Sequence, residues 1–564
     1  DYELALLEPL PMRPVSLPMY AMHLLERMHL AKPGAIVQST LDAGLQRNAT
    51  RIVHNYAAMY RSNQVHNAAA LIIDNRSGSV LAYIGNVFSL DENIPGGMVD
   101  VVTAPRSGGS ILKPFLFAGM LHEGLIGEKT LIADYPFQTP GFNPQNFDRN
   151  FDGAVPAYRA LQRSLNVPAV RMLQQYGIEK FHFLLQQLKK STLNNPPSHY
   201  GLSLILGGAE STLWDVAAMY ARLSRMLVNY PVYDGMYHPA DIFEPVLFLS
   251  SEPKESINIG DIRSELVPAG VLDASAIWIT LNALLEVNRP EEEAGWKMFA
   301  NTRRIAWKTG TSYGNRDAWA VGTTPEYTVG VWVGNASGEG RPSLTGVGFA
   351  APLMFDLFGI LPRTSSFPQP YDDMILQPIC LHSGHIAGPH CIETDSVWIA
   401  LKGLRTLECP YHIRVHTDAS GAFRVNSNCY EVHNMKQTSW FILPPAMEWF
   451  FRTRNPDYQP LPPWKPGCHD PQERNPMQLI YPAGNVQVMI PREISGQPGR
   501  IVLQAAHREK DAVIFWHLDG EYIGATQNQH HLAVSPEPGI KNLVLIDGNG
   551  HRMEQVFEVI KRKL

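Results

Sequence analysis

The chain has 564 residues, too many for one hydrophobic core and enough for about three or four domains of roughly 150 residues each. Its 45% apolar and 18% charged content is that of an ordinary globular protein, and a formal net charge of -6 leaves no global basic field, which argues against nucleic acid as a partner. No window reaches the ~18 uninterrupted apolar residues of a membrane-spanning helix, and no signal peptide is visible.

Residues 1–67 begin Pro-rich and turn helical in pattern over 17–30 and 41–60, the second stretch preceded by the capping types Ser39, Thr40 and Asp42. We expect this part to be an N-terminal linker region. "AAALIIDNRSGSVLAYIG" at 68–85 predicts a β-hairpin turning at Asn75, Arg76, Ser77 and Gly78. Residues 110–230 read mainly as helices, clearest in "STLWDVAAMYARLSRML" from Ser211, and another helix follows at 271–287. Strands return in "RIAWKTGTS", "DAWAVGTT" and "YTVGVWVGN" from Arg304. Strands at both ends of a helical middle predict one mixed domain closing on itself, over 68–366.

From residue 367 the texture changes. All five cysteines, Cys380, Cys391, Cys409, Cys429 and Cys468, fall in this part, with His382, His385, His390, His412, His416 and His433 among them. Clustered cysteines in a stretch poor in apolar runs favour local disulfides in an oxidising compartment, with Cys380 to Cys391 the first pair expected. A zinc site is the rival reading. No C-x2-C pair supports it, so neither a metal nor a cofactor is expected. We expect a connecting module over 367–454, a stiff Pro-rich linker over 455–476, and an all-β domain over 477–564, in which short strands at regular spacing predict a small Ig-like sandwich around Trp516.

Three short motifs carry chemistry as a set. Ser110 and Lys113, in "RSGGSILKP", stand at the i, i+3 spacing that shares one helix face, and Pro114 is tolerated in a first turn. A serine at a helix start lies where the dipole favours developing negative charge, and a lysine made neutral by burial can take its proton. "RSLNVPAV" holds Ser164 and Asn166, and "WKTGTSYGNRDAW" holds Lys308, Thr309, Gly310 and Thr311 on a β-rich segment. A glycine inside a strand marks close approach of a backbone or ligand, and a lysine beside hydroxyls suits a carboxylate. Each motif alone reads as a cap, a turn or an edge strand. Together, in the order S-x-x-K, S-x-N, K-T-G-T, they form the set of the serine β-lactamases and penicillin-binding proteins.

On these motifs, and on "STLDAGLQ" at 39–46 and "GLSLILGGAESTLWDVAAMYA" at 201–221, the chain resembles the class A penicillin-binding proteins, and among them the 1C subfamily. The resemblance covers nearly the whole chain. It implies an α/β (α+β) serine β-lactamase/transpeptidase-like domain with a central antiparallel sheet and a helical subdomain, followed by the Ig-like all-β sandwich. Class A members also carry a glycosyltransferase domain and a membrane anchor. Neither is recognised here, so glycan polymerisation is not expected of this chain, and the parent protein is expected in the periplasm on the inner membrane. Leu165 stands where β-lactamases usually carry Asp, which suits a transpeptidase.

By the same resemblance the substrate is a peptidoglycan stem peptide ending in D-Ala-D-Ala. Ser110 is the nucleophile and Lys113 its base. Ser164 relays a proton to the leaving amine, with Lys308 and Lys113 tuning it, and Asn166 holds the substrate amide. Lys308, Thr309 and Thr311, with Gly310 between them, hold the terminal carboxylate, and the backbone N–H groups of Ser110 and Thr311 form the oxyanion hole. β-Lactams are expected to acylate Ser110, and the C-terminal domain to dock an envelope partner such as a bacterial α2-macroglobulin. A carboxypeptidase and a non-turnover β-lactam or muropeptide sensor are the competing functions. Arg316 with Asp317 is read as a structural ion pair, and His199 with Tyr200 as loop packing.

Overall fold

Asn67–Asp74 (β1) is an almost unbroken apolar run, which suits a strand covered on both faces. It turns into Val80–Ile84 (β2), the expected hairpin. Among the described residues, four short strands lie within the helical middle: β3 (Arg106–Ser107), β4 (Leu131–Asp134), β5 (Gly153–Pro156) and β6 (Glu210–Ser211). Then come β7 (Ala306–Thr311), β8 (Asp317–Thr323) and β9 (Tyr327–Gly334). The main sheet is antiparallel in the order β2-β1-β9-β8-β7, so the two ends of the domain meet at β1 and β9 and β7 is left as an edge. This computed structural model describes residues 3, 19–89, 93–139, 142–249, 264–287, 303–470, 474–482, 484, 486–490 and 499–560, so almost all of the Pro-rich opening lies outside the described residues.

Side chains alternate across a sheet, so its two faces can be told apart by their neighbours. Gly330 faces Leu213 and Ala217 of the helix Leu213–Asn229, whose N-cap Thr212 accepts from Asp215 N at 3.0 Å. Gly322 faces Met354 and Phe358 of the helix Ala351–Gly359 on the opposite face. The helix Ala43–Tyr60, capped by Asp42, packs beside Ala351–Gly359, and its Ala49, Val53, Ala57 and Tyr60 enter the main core. Residues 43–60 are thus part of the domain body where a linker was expected. An amphipathic helix needs an apolar partner, and β1 and β2 supply it.

The connecting module is built from two hairpins, β10 (Met374–Cys380) with β11 (Thr394–Ala400) and β12 (His412–Thr417) with β13 (Lys436–Phe441), and from the helix Pro445–Arg454. It leans on the β4–β5 hairpin, where Leu131 and Ala154 share a small core with Leu443 and Met447. The Pro-rich segment expected as a stiff linker folds back on this module through residue 468. Arg424 N donates to Pro463 O at 2.8 Å, Lys465 N donates to Arg424 O at 3.0 Å, and a disulfide joins Cys429 to Cys468. Extended Pro-rich backbone makes no internal hydrogen bonds, so its carbonyls can accept from a neighbour. The expected Cys380–Cys391 disulfide is not formed. Cys380, Cys391 and Cys409 are free thiols that converge on the His412 ring, so no two of the sulfurs form an exclusive pair.

The C-terminal domain comprises β14 (Met477–Tyr481), β15 (Gln487–Met489), β16 (Ile501–His507), β17 (Val513–Leu518), β18 (Glu521–Gln527), β19 (His530–Val534), β20 (Gly539–Asp547) and β21 (Arg552–Ile560). They form a three-stranded sheet, β14-β16-β19, and a five-stranded sheet, β15-β21-β20-β17-β18. Both sheets contribute to one core, with Leu503 from the first and Trp516, Leu545 and Phe557 from the second. Trp516 is fully buried, and its Nε1 donates to Thr526 Oγ1 at 2.8 Å.

Candidate active site

Sheet register decides which K-T-G-T side chains face the helical subdomain. Lys308 pairs with Val321, and Val321 with Gly330, so all three share the face under Leu213–Asn229. Gly310, two residues on, shares it too. Across this face runs the loop before Ser110. A Cβ on Gly109, whose φ is +55°, would lie 2.7 Å from Thr311 C and 2.8 Å from its N. A Cβ on Gly310 would overlap Gly108 O. Only glycines allow the two backbones this close, which explains both the Gly-Gly before Ser110 and the glycine inside β7. The loop is pinned further by Trp319 Nε1, which donates to Ser107 O at 2.9 Å.

Ser110 sits half-buried in the short 3₁₀ turn Gly109–Leu112, which leads directly into the buried helix Lys113–His122, with Pro114 in its first turn as predicted. Lys113 is only 2% exposed. Its Nζ donates to Ser164 O at 2.7 Å, Leu165 O at 3.1 Å and Asn166 Oδ1 at 2.7 Å. Lys308, 1% exposed, donates from Nζ to Ser164 Oγ at 2.7 Å and to Thr309 O at 2.8 Å. Two buried lysines therefore meet at one serine. Ser164 has φ +57°, a left-handed conformation uncommon outside glycine, and it presents its carbonyl to one lysine and its hydroxyl to the other.

Burial of the ammonium pushes Lys308 down to about 7. Burial, and then the nearby Lys308 charge, pushes Lys113 well below the ordinary lysine range. Such a pair can hold one neutral amine, able to accept a proton, beside one ammonium, able to hold an anion.

Asn166 opens the helix Asn166–Tyr176, whose N-cap residue, Leu165, has no side-chain acceptor. Asn146 supplies one from a separate loop. Its Oδ1 accepts from Asn166 N at 2.9 Å and from Val167 N at 3.1 Å, and its Nδ2 donates to Asp134 Oδ1 on β4 at 2.8 Å. Neither Asn146 nor Asp134 was singled out from the sequence. The available signal was the leucine at a helix start, which leaves orphan N–H groups in need of an acceptor. Thr311 Oγ1 accepts from Gly346 N at 3.0 Å, in the turn Gly346–Ala350 that covers the other face of β7. Asp317 is a buried acceptor for Trp332 Nε1 at 3.0 Å, a structural role met by a tryptophan and not by Arg316. His199 and Tyr200 stack edge to face at 5.3 Å, which is packing.

Residues 68–343 match the penicillin binding protein transpeptidase domain model, and residues 466–557 match the Penicillin-Binding Protein C-terminus Family. Penicillin-binding protein 1C of Escherichia coli is 32% identical over 364 residues, 64% of this chain and 43% of that protein. Penicillin-binding protein 1B of Vibrio cholerae is 28% identical over 54% of this chain and 37% of its own length. The chain therefore spans less than half the length of these relatives. The crystal structure of penicillin-binding protein 1A from Haemophilus influenzae shares the fold, with a TM-score of 0.52 at 15% identity, covering 71% of this chain and 78% of that one.

Proposed function

This chain belongs to the penicillin-binding proteins, with likeness to class A and to the 1C type, and on that footing we propose that it is a peptidoglycan D,D-transpeptidase working through a Ser110 acyl-enzyme. One observation carries the proposal: Lys113 and Lys308, both buried, bind the two sides of Ser164 and so tie three motifs far apart in sequence into one site. A set of unrelated caps and turns would not converge in this way.

In this reading the stem peptide lies along the outer edge of β7, which carries no further strand among the described residues and suits an extended chain. Its terminal carboxylate is held by the Lys308 ammonium and the hydroxyls of Thr309 and Thr311. Lys113 as a neutral amine keeps two N–H donors for its three acceptors, and its lone pair takes the Ser110 hydroxyl proton. Ser110 Oγ then bonds to the penultimate D-Ala carbonyl carbon. The developing oxyanion is held by the N–H groups of Ser110 and Thr311, each such donor being worth about 3 kcal/mol. The C–N bond to the terminal D-Ala breaks as Ser164 passes a proton to the leaving amine and recovers one from the lysine pair, so that the proton Lys113 took from Ser110 ends on the D-Ala amine and Lys113 is neutral again. An amine from a second stem peptide then displaces Ser110 and forms the crosslink, while water in its place would give a carboxypeptidase. β-Lactams acylate the same serine. The site works in the periplasm, and the two-sheet C-terminal domain, read as Ig-like, docks an envelope partner.

The test is product analysis. Incubated with a pentapeptide donor and an amine acceptor, the chain is expected to give crosslinked product and free D-Ala in a Ser110-dependent manner. Only hydrolysed tetrapeptide would favour the carboxypeptidase, and a stable adduct with no product would favour the sensor.

A further inference from the structure

We propose that the connecting module holds a structural zinc ion on Cys380, Cys391, Cys409 and His412. Their donor atoms all lie within 4.8 Å of one another. The His412 Nδ1 atom is 3.5 Å from Cys380 Sγ, 3.6 Å from Cys391 Sγ and 3.3 Å from Cys409 Sγ. A tetrahedral zinc ion with bonds of about 2.3 Å to sulfur and about 2.0–2.1 Å to nitrogen sets the sulfur–nitrogen edge at about 3.6 Å. One imidazole nitrogen cannot share a single proton well among three sulfurs, but a metal at the centre satisfies all four donors together.

The surroundings fit a closed Cys₃His site. Ser383 Oγ donates to Cys409 Sγ at 3.1 Å, the kind of outer hydrogen bond that steadies a thiolate ligand. His412 is 8% exposed and Cys380 is fully buried. The same module carries the Cys429–Cys468 disulfide. A compartment that keeps that bond oxidised would also oxidise three adjacent thiols, and coordination protects them. On binding, zinc takes three thiolates and one neutral imidazole, and three protons leave for solvent.

The ligands come from both hairpins of the module. Cys380 ends β10, Cys391 lies in the loop that follows, Cys409 precedes β12, and His412 begins it. The ion would therefore staple the hairpins together where the module meets the catalytic domain. Ser383 O accepts from Leu131 N at 2.9 Å, and a Cβ on Gly384 would lie 2.6 Å from Thr130 N. That contact supports β4, whose Asp134 holds Asn146 and, through it, Asn166.

Metal analysis of the full chain tests this directly. Purified without chelator, it is expected to carry about one zinc per chain, and exchange with cobalt is expected to give the visible bands and sulfur charge transfer of a tetrahedral thiolate site. Cys409→Ser and His412→Ala should each lower bound zinc at least about tenfold. Cys429→Ser, at the disulfide, should leave it unchanged. Absence of zinc after loading, a disulfide between any two of the three thiols in the loaded chain, or wild-type zinc content in Cys409→Ser would overturn the proposal. Should that variant not fold, a wild-type cobalt spectrum without sulfur charge transfer overturns it as well.

Discussion

Adding one methyl group at Gly109 should separate the proposed nucleophile, Ser110, from β7. The new Cβ would lie 2.7 Å from Thr311 C and 2.8 Å from Thr311 N, and nearer still to its carbonyl oxygen. Ordinary contact needs about 3.4 Å or more, so the Ser110 loop and β7 must part by about 1 Å. The left-handed φ of +55° adds strain of about 1–2 kcal/mol. Both N–H groups of the proposed oxyanion hole lie on the displaced segments, and a misplacement of about 1 Å costs on the order of 100-fold in rate. The assay is the second-order rate constant for acylation by a fluorescent penicillin, with far-UV circular dichroism to establish folding. Gly421→Ala, at φ +80° with nothing within 4 Å of its Cβ, is the control for strain alone and should acylate normally. Acylation of folded Gly109→Ala within about threefold of the wild type would refute the geometry.

Other perturbations address separate parts of the site and fold. Asn146→Ala strips the acceptor from Asn166 N and Val167 N, each buried orphan costing about 1–3 kcal/mol. Acylation should fall at least about tenfold, and an unchanged rate would remove Asn146 as a positioning residue. The acylation rate constant of the free enzyme should fall around pH 7 as Lys308, pushed down to about 7 by burial, loses the proton that holds the substrate carboxylate. Lys308→Arg keeps its charge at all these values and should lose the alkaline limb, whatever its absolute rate, whereas an unchanged limb would contradict the assignment. Arg508→Ala removes the guanidinium 2.9 Å from Glu448, a carboxyl 1% exposed that keeps Tyr458 and Arg452 as its remaining partners. It should destabilise the contact between module and C-terminal domain by about 1–3 kcal/mol in urea titration followed by tryptophan fluorescence, and an unchanged stability would show that the remaining partners suffice.

The candidate site residues were legible because each has a local signature. The Gly-Gly-Ser turn, the capping position, the i, i+3 lysine and the glycine inside a strand all depend on near neighbours in sequence. The hairpin at β1–β2 and the returning strands β7 to β9 were legible for the same reason, and their pairing followed from closing one sheet. Asn146 was not, because its partner is a helix start on another segment. The helical pattern at 41–60 does not reveal its place in the domain body, since periodicity shows an apolar stripe but not what covers it. The Pro-rich segment through residue 468 reads as extended, and extended backbone can run free or pair with a neighbour. Cysteine connectivity is tertiary too. Cys409 and His412 stand in a C-x2-H spacing, while Cys380 and Cys391 lie far from them in sequence.

The central claim is that Ser110 is the acylated nucleophile of this chain. Intact-mass measurement after exposure to a fluorescent penicillin tests it most directly, on the wild type and on Ser110→Ala side by side. The wild type is expected to gain the mass of one penicilloyl group, mapped by peptide digestion to the segment holding Ser110, and Ser110→Ala to gain none. No adduct on the folded wild type, or the same adduct on both proteins, would contradict the claim.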